Sequence, residues 1–409
     1  MKPNLRASSD RLLRRIEQLA AIGSIDGGGV CRLALTEEDR LARDLVTRWM
    51  TELGLVVSID EIGNVVGTRL GVVDGPPVMI GSHIDSVATG GRYDGTLGVL
   101  AGLELVETLN EANFQTQHAL AVAFFTNEEG VRFAPDMMGS AVHQGSLGLI
   151  EALATKDEND ASVGEELKRI GYAGDDAVAT VTPRAFLELH VEQGPILEKA
   201  GTTIGIVTGV QGISWTEYRV TGTSNHAGTT PMGLRHDAGF VAAAITTEAR
   251  HLADQLGGDQ VATVGVTELR PNLVNVIANH ARITVDLRNT TEDRLQQAEA
   301  RMTQYIAKLA AIEGVEVASR SLARFCPVEF DPDVVNLIET TTNECGYACQ
   351  RLPSGAGHDA QMFAPNCPTG MIFVPSQGGI SHNVKEFTAA AEIDAGLDVL
   401  TQVVLQLTE

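Results

Sequence analysis

At 409 residues the chain exceeds one ordinary hydrophobic core, so two domains are expected. Hydrophobic residues at 44% with both signs of charge exclude a disordered or fibrous chain, and aromatics at 4% leave little surface for stacking on bases. A formal net charge of −23 repels phosphate backbones and anionic lipid, which excludes nucleic acid and membrane surfaces as expected partners.

In chain order, Leu12, Leu13, Ile16 and Leu19 recur at helical spacing behind the cap candidates Ser8, Ser9 and Asp10. This segment lacks the apolar core and cleavage site expected of a signal peptide. No apolar run approaches the roughly 18 residues of a membrane span. Helical patterns follow at residues 37–53, 98–113 and 162–170, alternating with strand patterns at 78–85, 118–126 and 186–190. Such alternation predicts an α/β layer with a mostly parallel central sheet. From residue 213 the order changes. Strands are expected at 213–222, 261–269, 281–288 and 315–322, and helices at 237–256 and 291–312. This β-α-β-β-α-β order is that of a ferredoxin-like α+β unit. The α/β pattern then resumes with a helix at 332–345, a strand at 369–375 and a helix at 389–407. The expected organisation is therefore one discontinuous domain, residues 1–212 and 325–409, carrying an inserted domain, residues 213–324.

Cys31, Cys326, Cys345, Cys349 and Cys367 are few, odd in number and not in CxxC spacing. They read as reduced thiols of a cytoplasmic protein.

Histidines and acids gather at predicted strand ends. His83 and Asp85 close the strand at 78–85, and Asp94 follows in a glycine-rich loop. Glu128 and Glu129 follow the strand at 118–126, His190 ends another, and His382 stands in a late Gly-Gly-Ile-Ser-His-Asn segment. Open α/β sheets place their sites at such ends. A lone strand-end His is most often a hydrogen-bonded structural residue. Three histidines and two carboxylates together match the imidazole and carboxylate set of divalent metals, and two ions need one shared carboxylate.

The chain resembles the hydantoinase/carbamoylase family of metal-dependent amidohydrolases, within the aminoacylase and carboxypeptidase-like di-metal clan, from about residue 10 to its end. The motifs that carry this are GSHIDSVATGGRYDG, TNEEGVRF, LELHVEQGPILE, SNHAGTTPM, NLVNVIANHARITVDLRN, SGAGHDAQMFAP and GGISHN. The resemblance implies two divalent ions per subunit, Zn or else Mn, Co or Ni. His83 and His190 are implied for one ion, Glu129 and His382 for the other, and Asp94 as the bridge. It implies Glu128 as general base, His226 as oxyanion-stabilising residue and Asp85 as the acid that orients His83. Gln193, Asn275, Arg288 and His358 are implied at the substrate, a small ureido compound bearing a carboxylate. His190 stands where the peptidase branches carry an acid. The inserted domain is implied to be a lid and the joint of a homodimer. The activity implied is hydrolysis of the carbamoyl C–N bond of N-carbamoyl-L-amino acids, with allantoate as the alternative substrate and β-ureidopropionate or acylated amino acids behind it. For Arg288 there is independent support. Arg282, Thr284, Asp286 and Arg288 share one face of a strand whose other face is apolar, and a planar guanidinium suits a carboxylate.

Overall fold

The first helix, Ser9–Ala20, starts where Ser8 caps it: the hydroxyl accepts from the Arg11 amide at 3.3 Å, and Leu12, Ile16 and Leu19 form the buried stripe. The computed structural model describes residues 5–409. The chain separates into two compact units. One runs to Gly209 and resumes at Glu329; the other is Val210–Val328.

The first unit is built on strands β1 (Val56–Ile59), β2 (Val65–Arg69), β3 (Val78–His83), β4 (Leu120–Phe125), β5 (Ala185–Val191) and β6 (Ile204–Val210). The second contains β7 (Gly212–Thr221), β8 (Val261–Thr263), β9 (Thr267–Arg270), β10 (His280–Asn289) and β11 (Glu316–Phe325). The chain then completes the first sheet with β12 (Val328–Glu329), β13 (Cys349–Ser354) and β14 (Thr369–Val374).

Among the described residues the first sheet has nine strands in the order β1-β2-β4-β3-β5-β14-β6-β12, with β13 beside β6. Its centre, β4-β3-β5-β14, is parallel. The flanks join it antiparallel, β2 on β4 and β6 on β14. Every residue of β3, β4, β5 and β14 is buried, as expected of parallel strands covered by helices. The helices Thr96–Glu111 and Ala390–Leu407 pack on this centre and are themselves buried over most of their length.

Among the described residues the strands of the second unit pair antiparallel, in the order β11-β7-β10-β8 with β9 also on β10. Helices Ala238–Leu256 and Glu292–Glu313 close its core, which includes Val220, Ile245, Leu252, Ile283, Val285 and Met302. Along β10 burial alternates: Ala281, Ile283, Val285 and Leu287 face inward, while Arg282, Thr284, Asp286 and Arg288 stay half-exposed. The strand expected at 261–269 is broken into β8 and β9. At the break Val266 pairs with the side chain as well as the backbone of Thr284, donating to Oγ1 at 3.1 Å and accepting from its amide at 3.1 Å. Gly265 stands in this gap and gives the strand no side chain to pack.

Candidate metal centre

The parallel strands end together, and their ends hold the candidate site. His83 is the last residue of β3, and His190 is the penultimate residue of β5, paired in register with Phe373 of β14. Glu128 and Glu129 follow β4 after Asn127, which adopts φ 57° and donates its side-chain amide to the carbonyls of Phe133 and Pro135. Asp94 sits in the loop before the helix Thr96–Glu111. His382 follows β14 in a turn where its own φ is 52°. Gly95 completes the loop with φ 63°, and a Cβ at that position would overlap the His83 ring.

Asp94 lies at the centre. Its Oδ1 is 3.5 Å from His83 Nε2 and 3.1 Å from His190 Nε2, and its Oδ2 is 3.4 Å from His382 Nε2. His382 Nε2 is also 3.4 Å from Glu129 Oε2, and Glu128 Oε2 is 3.4 Å from His83 Nε2. Two groupings could each hold an ion: His83, Asp94 and His190, and Asp94, Glu129 and His382. They share Asp94, as the resemblance implied.

The imidazoles are oriented from behind. His83 Nδ1 donates to the Asp85 carbonyl at 3.0 Å and His190 Nδ1 to the Val191 carbonyl at 2.9 Å, so each ring turns Nε2 inward. The Asp85 side chain does something other than expected. Its Oδ1 is 3.9 Å from His83 Nδ1, while its two oxygens accept from the amides of Glu128 at 3.2 Å and Glu129 at 3.3 Å. Those amides lie past the end of β4, where no sheet partner reaches them, so the carboxylate is drawn to them.

Burial and mutual charge shift every titratable group of this cluster. Burial raises Glu128 well above the carboxylate range. Burial, then the charge of Asp94, pushes Glu129 up to about 8. Burial would raise Asp94 as well, but hydrogen bonds from His190, His382 and His83 hold it well below its usual value. His382 rises to about 9, first through its hydrogen bond to Asp94. Burial opposes charge on His83, yet Glu128, Asp94 and Asp85 outweigh it and raise the ring. Burial opposes charge on His190 too, yet its hydrogen bond to Asp94 and the charges of Asp94 and Glu188 outweigh it and raise the ring; the Gly95 amide lies 3.0 Å from the same Nε2. A lone pair on nitrogen facing carboxylate oxygens at these distances requires a proton or a metal between them, and the donor set suits borderline divalent ions.

The remaining expected residues divide. Gln193, at φ 57°, lies inside the cluster, with Nε2 donating to Asp94 Oδ2 at 2.9 Å and standing 3.4 Å from His382 Nε2. His358 is buried behind His190, edge-on at 4.5 Å, with Nε2 at 2.9 Å from Ser354 Oγ; burial holds it neutral. Together with Glu188 and His190 it forms a third buried grouping, but Glu188 is already engaged by Ser82 Oγ and the Ala360 amide. His226, Asn275 and Arg288 belong to the second unit. His226 is exposed and its Nδ1 accepts from the amides of Gly228 and Thr229 at 3.0 and 3.3 Å, which puts the ring proton on Nε2. Asn275 is exposed. Arg288 lies over Trp215 at 5.8 Å and pairs with Asp286 at 2.9 Å. Residue patterns gave no sign of Glu386, a buried acid whose Oε1 accepts from the amides of Tyr93 at 3.0 Å and Asp94 at 3.2 Å.

The sequence model of peptidase family M20/M25/M40 matches residues 79–406. An N-carbamoyl-L-amino-acid amidohydrolase of Rhizobium meliloti is 40% identical over 407 residues, 99% of this chain and 98% of its own. An allantoate amidohydrolase of Bacillus subtilis is 34% identical over 395 residues, 96% of each chain. The solved structure of a hydantoinase/carbamoylase family amidase from Burkholderia multivorans superposes with a TM-score of 0.95 at 42% identity, covering 99% of this chain and 98% of that one.

Proposed function

The chain belongs to peptidase family M20/M25/M40, in its hydantoinase/carbamoylase branch, and from that premise we propose that it hydrolyses the carbamoyl C–N bond of N-carbamoyl-L-amino acids. The observation that carries the reading is Asp94, placed between His83 and His190 on one carboxylate oxygen and His382 on the other, with Glu128 beside it. His83 and His190 would hold one divalent ion, Glu129 and His382 a second, and Asp94 both. Zinc, manganese, cobalt and nickel all fit these ligands. When bound, two such ions lower the pKa of an attacking water toward neutrality and polarise the carbonyl.

The protein's own residues do the rest. Glu128 takes a proton from the water that attacks the ureido carbon. Burial raises its affinity for that proton, and its carboxyl is then poised to pass it to the leaving nitrogen. The C–N bond breaks to give the free amino acid and carbamic acid, which decays to CO2 and ammonia. Asp85 holds Glu128 and Glu129 in register through their amides. On the second unit, the Nε2 proton of His226 suits an oxyanion donor. Arg288 and Asn275 are kept as residues for the substrate carboxylate, and Gln193 and His358 as further contacts. The second unit is read as a lid and dimer joint. Its strand β11 pairs with β7 alone among the described residues, leaving an edge for a second copy. All five cysteines are free, which supports a reducing, cytoplasmic setting.

Allantoate is the second reading, favoured by the 34% identical amidohydrolase that carries that name. Ammonia release from N-carbamoyl-L-methionine and allantoate, measured side by side on the metal-loaded enzyme, decides between them. Glu128→Gln should lower turnover by about 10²–10⁴-fold while leaving the ions bound. Full activity in that variant would remove Glu128 from the mechanism.

A further inference from the structure

Glu386 lies outside the motifs that carry the family resemblance, yet it is 5% exposed and lies at the back of the candidate metal centre. Its Oε1 accepts from two consecutive backbone amides, Tyr93 at 3.0 Å and Asp94 at 3.2 Å. The glycine loop runs directly across it: a Cβ on Gly91 would overlap the Glu386 carboxylate and come within 2.5 Å of its Cβ. Glu386 is also four residues beyond His382. The turn between them is closed by the Glu386 amide donating to the Asn383 carbonyl at 2.9 Å, and by the Lys385 amide donating to Asn383 Oδ1 at 3.0 Å. One side chain therefore ties the loop that carries Asp94 to the segment that carries His382. Those two residues meet at 3.4 Å. The device repeats what Asp85 does for Glu128 and Glu129 on the other side of the cluster, again one carboxylate on two successive amides.

We infer that Glu386 is a positioning residue for the metal centre, acting through the backbone of Asp94 to hold that carboxylate in register with His382. The inference rests on the reading of Asp94 as the ligand shared by two ions. Because Asp94 is shared, loosening it weakens both ions together and not one of them. The grip needs an acceptor oxygen at the right reach, and it does not need a negative charge. Glutamine keeps that oxygen at the same distance. Aspartate keeps the charge but falls one methylene short.

The test is divalent-ion binding by the full-length protein, read as stoichiometry and affinity against a competing chelator and as the visible spectrum of the cobalt-loaded form, with thermal unfolding of the metal-free protein as control. Wild type should bind two equivalents. Glu386→Gln should hold both within a few-fold and keep the cobalt spectrum. Glu386→Asp and Glu386→Ala should lose about 10–100-fold in affinity for both ions, the range typical of supporting residues around a metal. If the alanine variant does not fold, the Gln and Asp pair still decides. The reverse order, Asp tolerated and Gln not, makes the effect one of charge and overturns the inference. So does a set of variants that lowers the unfolding temperature while binding metal and absorbing light like wild type. Wild-type protein that takes up no divalent ion overturns the site reading and this inference with it; wild-type loading that Glu386→Ala leaves untouched overturns the inference alone.

Discussion

His83 and His190 reach the same chemical state by the same means, a backbone carbonyl that takes the Nδ1 proton. The acids of the cluster raise both rings against burial, and Glu129 and His382 are raised as well, so in the absence of metal all four favour holding a proton. Burial pushes Glu129 up to about 8, and the hydrogen bond to Asp94 lifts His382 to about 9. Below those values an arriving ion must displace protons, so loading releases them to the buffer and apparent affinity rises with pH up to about 9. Acid works the other way and strips the ions. Calorimetric titration of metal-free protein with zinc in buffers of different ionisation enthalpy measures this directly; heats that do not depend on the buffer would contradict it. At this scale the gathering of the candidate ligands was legible in advance. His83, Asp94, Glu129, His190 and His382 each follow a strand or stand beside glycine, and the family motifs name them. What a side chain does once placed was less legible. The Asp85 carboxylate serves two amides, and the orienting atom for His83 is the Asp85 carbonyl. Glu386 was invisible because its partners are 293 and 292 residues away.

The loop that delivers Asp94 has little freedom. Gly95 takes φ 63° directly against the His83 ring, so Gly95→Ala should cost both backbone strain and ring position. The expected result is a lower unfolding temperature and fewer bound ions per chain, by scanning calorimetry and elemental analysis. Retention of two ions at the wild-type temperature would refute the steric argument. Among elements, long and strongly patterned ones were read well. The helices expected at 37–53 and 389–407 appear as Glu37–Glu52 and Ala390–Leu407. Strands buried on both faces, such as β4 and β5, announce themselves as apolar runs. β1 and β13 were missed because they are short and only partly buried, which leaves too little periodicity to detect. The split between β8 and β9 was missed because a single glycine sits in an otherwise alternating run.

Each unit of the molecule has its own buried core, and that of the second is closed around Ile245, Leu252, Ile283 and Val285. Ile245 is fully buried. Ile245→Ala should destabilise the second unit by about 2–5 kcal/mol, seen as faster hydrogen exchange in β7 and β10, while the ion count stays at the wild-type value. Loss of ions in that variant would mean that the two cores do not act separately. No helix among the described residues is long and apolar enough to cross a membrane. The order of strands also sets a timetable for birth on the ribosome. The slot between β5 and β6 is filled by β14, which lies far downstream at Thr369–Val374. At 5–20 residues per second, β5 and β6 wait on the order of ten to thirty seconds for that strand to be made. Until then the nascent sheet ends at a bare β5 edge, β6 waits for all of its partners, β12, β13 and β14, and His382 is not yet made, an exposure of unpaired strand edges that invites misassembly.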